Sequence, residues 1–152
     1  MTARYGILPA DFGERGLRHE VDVFVYRFGA EGPEYLLLRR EPRHEEAWRP
    51  VTGAIGWHED LRRAALRQVR AELGLDYAHD LVAPPAGSVE EIGDLRLVHW
   101  PIGFQLARGA EPQRPPARVL ALQWAAFTAA LSALANGAHR QNLLQLHLRL
   151  AA

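Results

Sequence analysis

The chain has 152 residues, 48% of them apolar, with 18 basic and 18 acidic side chains and a formal net charge of zero. That length and balance fit one globular domain able to bury about two-thirds of its unfolded surface, and they argue against disorder and against general attraction to nucleic acid or membrane. Cys is absent, which excludes disulfides, thiol catalysis and Cys-based zinc sites.

All 18 basic residues are Arg, largely a matter of composition, although the guanidinium suits bidentate phosphate contacts. Residues 1–19 are rich in Gly and charge and read as a loosely attached N-terminal segment of a single domain spanning 1–152. They hold no apolar run of signal-peptide length, and no stretch approaches the ~18–20 apolar residues of a membrane span. A cytoplasmic protein is therefore expected.

Val21 to Phe28 carries β-favouring residues on both faces and reads as a strand. A Gly-Ala-Glu-Gly-Pro turn leads into Tyr35 to Arg40, so residues 21–40 are expected to form a β-hairpin. Arg39 and Arg40 end it, either as phosphate contacts or as a solvated strand end. After a polar loop at 41–46 comes Trp48-Arg49-Pro50-Val51-Thr52-Gly53, with Trp48 readable as a substrate contact or a rim aromatic.

Leu61, Ala65, Leu66, Val69 and Leu73 recur at helical spacing. Glu59 and Asp60 stand where the helix begins, which suits the helix dipole, and Gly74 is a natural C-terminal stop. Gln68, Ala71 and Glu72 are expected to share a polar face opposite Leu66, Val69 and Leu73.

The stretch from Gly53 to Leu75 resembles the Nudix box, whose pattern is Gly, any five residues, Glu, any seven, then Arg-Glu-apolar-any-Glu-Glu-any-Gly-apolar. Gly53, Glu59, Arg67, Val69, Glu72, Gly74 and Leu75 fall in register. Gln68 and Ala71 replace two of the family's carboxylates. The Trp48 approach and the C-terminal His139-Arg140-Gln141-Asn142 resemble the dihydroneopterin triphosphate pyrophosphatase branch. The Ala71-Glu72-Leu73-Gly74-Leu75 run is similar to the GDP-mannose mannosyl hydrolase branch.

The resemblance implies an α/β fold, a mixed β-sheet in an α/β/α sandwich. It implies a MutT-like pyrophosphohydrolase acting on a nucleoside diphosphate linked to another group, or a related pyrophosphate. It also implies Mg2+ (or Mn2+) shared with substrate phosphates. Carried over to this sequence, Glu72 is a metal ligand with the carbonyl of Gly53, while Arg67 and Glu59 orient the catalytic face. Gln68 holds the place of a base. Arg39, Arg40, Trp48 and Gly53 are the implied substrate contacts, and His58, in the box loop beside Trp57, reads either as a contact to a phosphate or base or as a surface His.

One carboxylate on the helix face supports at most one ion, bound together with substrate. Glu90, Glu91 and Glu111 are candidate replacements, and Arg118 stands where the family often has a further carboxylate. Two readings follow: a hydrolase of weak or atypical activity, or a binding module that has lost catalysis. Either takes a small-molecule partner rather than nucleic acid or membrane.

Further on, Leu81 to Pro85 and Ser88 to Gly93 read as a connector with short strands. Leu95 to Ala107 reads as a bulged or edge strand, because Pro101 interrupts it. That apolar strand could pair two copies in a homodimer. Val119 to Trp124 is the last expected strand. Helices are expected over 125–135, stopped by Asn136-Gly137, and over 139–150, with Leu143, Leu144, Leu146, Leu148 and Leu150 as core candidates. His99 is placed on a strand facing core or substrate. The other histidines show no metal-ligand spacing.

Overall fold

The computed structural model describes residues 16–40, 47–113 and 120–151, with the side chains of Arg40 and Leu120 outside that description. Its elements are β1 (Leu17–Gly29), β2 (Gly32–Arg40), β3 (Val51–Ala54), α1 (Leu61–Leu73), β4 (Asp80–Val82), β5 (Ser88–Ile92), β6 (Leu95–Gln105), β7 (Leu120–Ala126), α2 (Phe127–Ala133) and α3 (Gly137–Ala151). The expected hairpin forms, with Tyr26 opposite Tyr35 in antiparallel register. β1 begins at Leu17, so the last residues of the segment expected to be loose belong to the sheet.

β1 and β6 form the centre of a seven-stranded sheet and run parallel, Leu17 to Tyr26 against Arg96 to Gln105. β1 also pairs antiparallel with β3 at Glu20 to Val23 and with β2 beyond Tyr26. β7 extends the sheet from β2. Successive strand residues face opposite sides. Val21, Val23 and Val25 therefore pack with Ala64, Ala65, Val69 and Leu73 of α1. Phe24 and Tyr26 pack with Ala130, Leu134, Leu143 and Leu146 on the other side. The result is the α/β/α sandwich that the family resemblance implied.

Three local expectations need correction. Leu95 to Ala107 is not an edge: β6 ends at Gln105, with β1 on one side and both β4 and β5 on the other. Pro101 is tolerated because β5 covers Leu95 to His99 and β4 covers Gly103 to Gln105, so its missing N–H falls between the two. A homodimer cannot be built by strand pairing at β6.

Asn136 does not stop a helix but starts one. Its Oδ1 accepts from the backbone N–H groups of Ala138 (2.8 Å) and His139 (3.1 Å), capping α3. Of the five leucines expected in the core, Leu143 and Leu146 are fully buried, whereas Leu144 and Leu148 are 39% and 62% exposed, on the outer face of α3. Among the described residues, no helix is long and apolar enough to cross a membrane.

Candidate functional site

The box loop and α1 are fixed to each other by one charged brace. Arg67 donates from Nε to Glu59 Oε2 and from Nη2 to Glu59 Oε1, both at 2.8 Å, and from Nη2 to the carbonyl of Ala54 at 2.9 Å. Glu59 Oε1 also accepts from the Gly56 N–H at 2.8 Å. The hydrogen bonds from Arg67 hold the Glu59 carboxyl below its ordinary range. Glu59 thus lies in the loop, ahead of the helix. Asp60 is the cap, accepting from Arg63 N at 2.8 Å, and Gly74 ends the helix in the left-handed region at φ 67°.

The helix face differs from expectation. Glu72 is buried, Gln68 half-buried and Ala71 exposed. Positions 68 and 72 are one turn apart and lie with Ala65 and Val69 on the inward side, whereas 71 is rotated outward with Arg67 and Arg70. The Gln68 amide lies directly over Gly53, where a Cβ would collide with it. His58 is exposed and takes φ 60°, a conformation unusual for a residue with a side chain, with its ring edge-on to Trp57.

Glu72 meets a cation that the sequence did not single out. Arg49 Nη2 donates to Glu72 Oε1 at 3.0 Å, and Arg49 Nη1 donates to the carbonyl of Pro50 at 3.0 Å. The two side chains are 23% and 8% exposed. On the other face of the sheet, where Trp48 packs with the α3-side core, the guanidinium of Arg39 stacks on Trp48, 4.4 Å from the ring centre, so the structure does not bring these two predicted contacts to the Glu72 patch. The backbone of Arg40 pairs with Leu120. Glu72, Gln68, Gly53 and Arg49 therefore form one patch on the α1 side, with Glu59 and Arg67 as its support.

The candidate replacement carboxylates do not complete it. Glu90 lies on the α3 side, accepting from Asn136 and bonded to His99. Glu111 is exposed in a loop beside Arg108. Arg118 lies outside the described residues.

A second polar centre, missed in the sequence, lies between the sheet and the start of α3. Asp22 Oδ1 is 3.1 Å from His99 Nδ1, and Asp22 Oδ2 accepts from Asn142 Nδ2 at 3.1 Å. His99 Nε2 is 2.9 Å from Glu90 Oε1. Burial by itself would lower the His99 imidazolium, but the hydrogen bonds and charges of Asp22 and Glu90 override it and hold the group up at about 9. His139 is pushed the other way, by burial and by the charges of His99 and Arg49. The signal in the sequence was Asp22 itself, a carboxylate in the middle of the apolar strand Val21 to Phe28.

Comparison with known proteins places this architecture. The family model described as NUDIX domain matches residues 17–146. No curated protein matches the sequence. Among solved structures the chain is similar to a NUDIX hydrolase from Listeria monocytogenes, at TM-score 0.73 and 16% identity over 88% of this chain and 94% of that one. It is similar to the dihydroneopterin triphosphate pyrophosphohydrolase of E. coli, at 0.71 and 20% over 86% and 95%. It is also similar to the NUDIX domain of Shewanella oneidensis NrtR, solved with ADP ribose, at 0.69 and 15% over 91% and 92%.

Proposed function

The chain belongs to the NUDIX domain family, and from that premise we propose that it binds a nucleoside diphosphate derivative, or a related pyrophosphate, with little or no metal-driven hydrolysis. The observation that carries this reading is the buried Arg49–Glu72 pair. The family's Mg2+ (or Mn2+) needs hard oxygen donors. Here the inward face of α1 offers one carboxylate, already joined to a guanidinium, together with an uncharged amide at Gln68; Ala71 faces outward and has no donor. These residues do not fit a carboxylate-held metal centre.

What the patch does offer is guanidinium. Arg49 presents fixed donors suited to phosphate oxygens on the α1 side of the sheet. Gly53 lets the Gln68 amide close over the strand. ADP ribose, bound by the NrtR domain, and pterin triphosphate, named for the E. coli enzyme, are ligands of the expected class. A cytoplasmic setting belongs to the same reading.

A second reading, a hydrolase of altered activity, is favoured by the complete Glu59–Arg67 brace, which a pure binding surface does not need. One experiment separates the two. Nucleoside triphosphates, nucleotide sugars, ADP ribose, dinucleoside polyphosphates and pterin triphosphate are each assayed for product release and for thermal shift, with Mg2+, with Mn2+ and with EDTA. The binding reading expects a thermal shift that persists in EDTA and is lost in Arg49→Gln. Metal-dependent turnover of at least about 1 per second, abolished in Glu72→Gln, would replace it with the hydrolase.

A further inference from the structure

We propose that Asp22, His99 and His139 form a binding site for a divalent transition-metal ion of the zinc class, separate from the box. Their donor atoms, Asp22 Oδ1, His99 Nδ1 and His139 Nε2, all lie within 4.8 Å of one another. The Asp22–His99 spacing is 3.1 Å and the Asp22–His139 spacing 3.7 Å. A tetrahedral ion with bonds of about 2.0–2.1 Å sets its ligands about 3.3 Å apart, so small rotamer adjustments close the site. The two imidazoles meet edge to face at 90°, with centres 5.3 Å apart.

A purely structural polar network explains most of this cluster but not His139. Asp22, His99, Asn142 and Ser88 are mutually hydrogen-bonded. His139 is 8% exposed, its Nδ1 has no hydrogen-bond partner among the described residues, and its Nε2 stops 3.7 Å short of Asp22. Burying an imidazole in that state is costly. An ion held between Nε2 and Asp22 would give this buried ring a strong interaction on its Asp22 side, where the 3.7 Å spacing is too long for a hydrogen bond.

The surroundings are those of a metal site. His99 gives its other nitrogen to Glu90, and Asp22 gives its other oxygen to Asn142, which in turn bonds Ser88 Oγ at 2.6 Å. Such outer partners fix ligand orientation and tautomer. Binding exchanges the proton on His99 Nδ1 for the ion. The charged groups around the site are Asp22, Glu90 and Glu20, which favour a dication, and Arg49, which opposes it. Two imidazoles and one carboxylate select zinc-like ions over Mg2+. A cavity of about 560 Å3 lined by Ser88, Gly137 and Ala138 lies next to the cluster, with Ser88 bonded to Asn142 between them.

The test is direct metal binding on the full chain. Protein stripped with EDTA and dialysed is titrated with Zn2+ by calorimetry, and with Co2+ followed by its visible absorption. The expected result is one ion per chain, intense Co2+ bands of a tetrahedral nitrogen–oxygen site and a raised Tm. His139→Gln should weaken binding by more than about 100-fold and Glu90→Gln by about 10–100-fold, while removal of a surface imidazole in His79→Ala changes nothing. Equal Zn2+ affinity in wild type, His139→Gln and Glu90→Gln, or no uptake beyond surface histidines, overturns the proposal. If His139→Gln fails to fold, Glu90→Gln and the Co2+ spectrum of wild type decide it.

Discussion

Arg49 illustrates how one residue sets the chemistry of the box. A carboxylate that is 8% exposed on its side chain is costly to bury without strong hydrogen-bond partners, and Arg49 supplies one at 3.0 Å. Truncating Arg49→Ala leaves Glu72 in a buried site without that guanidinium. The expected cost is about 3 kcal/mol, read from denaturant midpoints at unchanged slope. The Arg49→Ala, Glu72→Ala double variant should recover a good part of it, because both charges then leave together. Equal losses in the single and double variants would show that packing of the Arg49 stem, not charge, was being measured.

At the scale of elements, two features decide how well the layers hold. α3 reaches the sheet because β6 has no side chain at Gly103. A Cβ there would stand 2.8 Å from Leu146 Cδ1 and 3.0 Å from Tyr26 Cε1. Gly103→Ala should therefore cost about 1–3 kcal/mol by overpacking, whereas Gly93→Ala, with open space around its Cβ but φ 60°, tests backbone strain alone. The loop brace gives a pH signature. Glu59 is held below its ordinary value of 4.5 by Arg67, so its contribution is present above that pH and lost as pH falls through the lowered folded value. The stability gap between wild type and Arg67→Ala, under about 1 kcal/mol because Arg67 is half exposed, should be full near pH 6 and shrink below about 4.5. A gap that grows on acidification contradicts the brace.

These elements also mark what the sequence made legible. The hairpin, α1, its Gly74 stop and the Glu59–Arg67 pair depend on local spacing and could be read from it. Glu72's inward turn was misjudged because the polar character of Gln68 and Glu72 suggested solvent, and the partner Arg49, 23 positions away, was not visible in the local spacing. β6 looked like an edge because a proline rule was applied without knowing that β4 and β5 leave a gap at Pro101. The Asp22, His99 and His139 cluster joins two parallel strands and a helix N-terminus. No sequence spacing encodes such a meeting; only the topology creates it.

For the molecule as a whole, the two polar centres are not independent. The box lies on the α1 side of the sheet and the histidine cluster on the α3 side, yet Arg49 bonds Glu72 on one and, after burial and the charge of His99, adds to the lowering of His139 on the other. Trp48, next to it, bridges to Leu134 at the end of α2, which brings that segment across the edge between the layers. A positive charge felt at His139 must oppose any dication there. Arg49→Gln should accordingly strengthen Zn2+ binding modestly, by about two- to threefold, while weakening a diphosphate ligand at the box. Calorimetry of each ligand in the presence and absence of the other measures the link. Binding of an anion to Arg49 in the wild type screens the same charge, so Zn2+ and the diphosphate should help each other by equal factors. Identical Zn2+ affinity in wild type and Arg49→Gln would separate the two centres and confine Arg49 to the box.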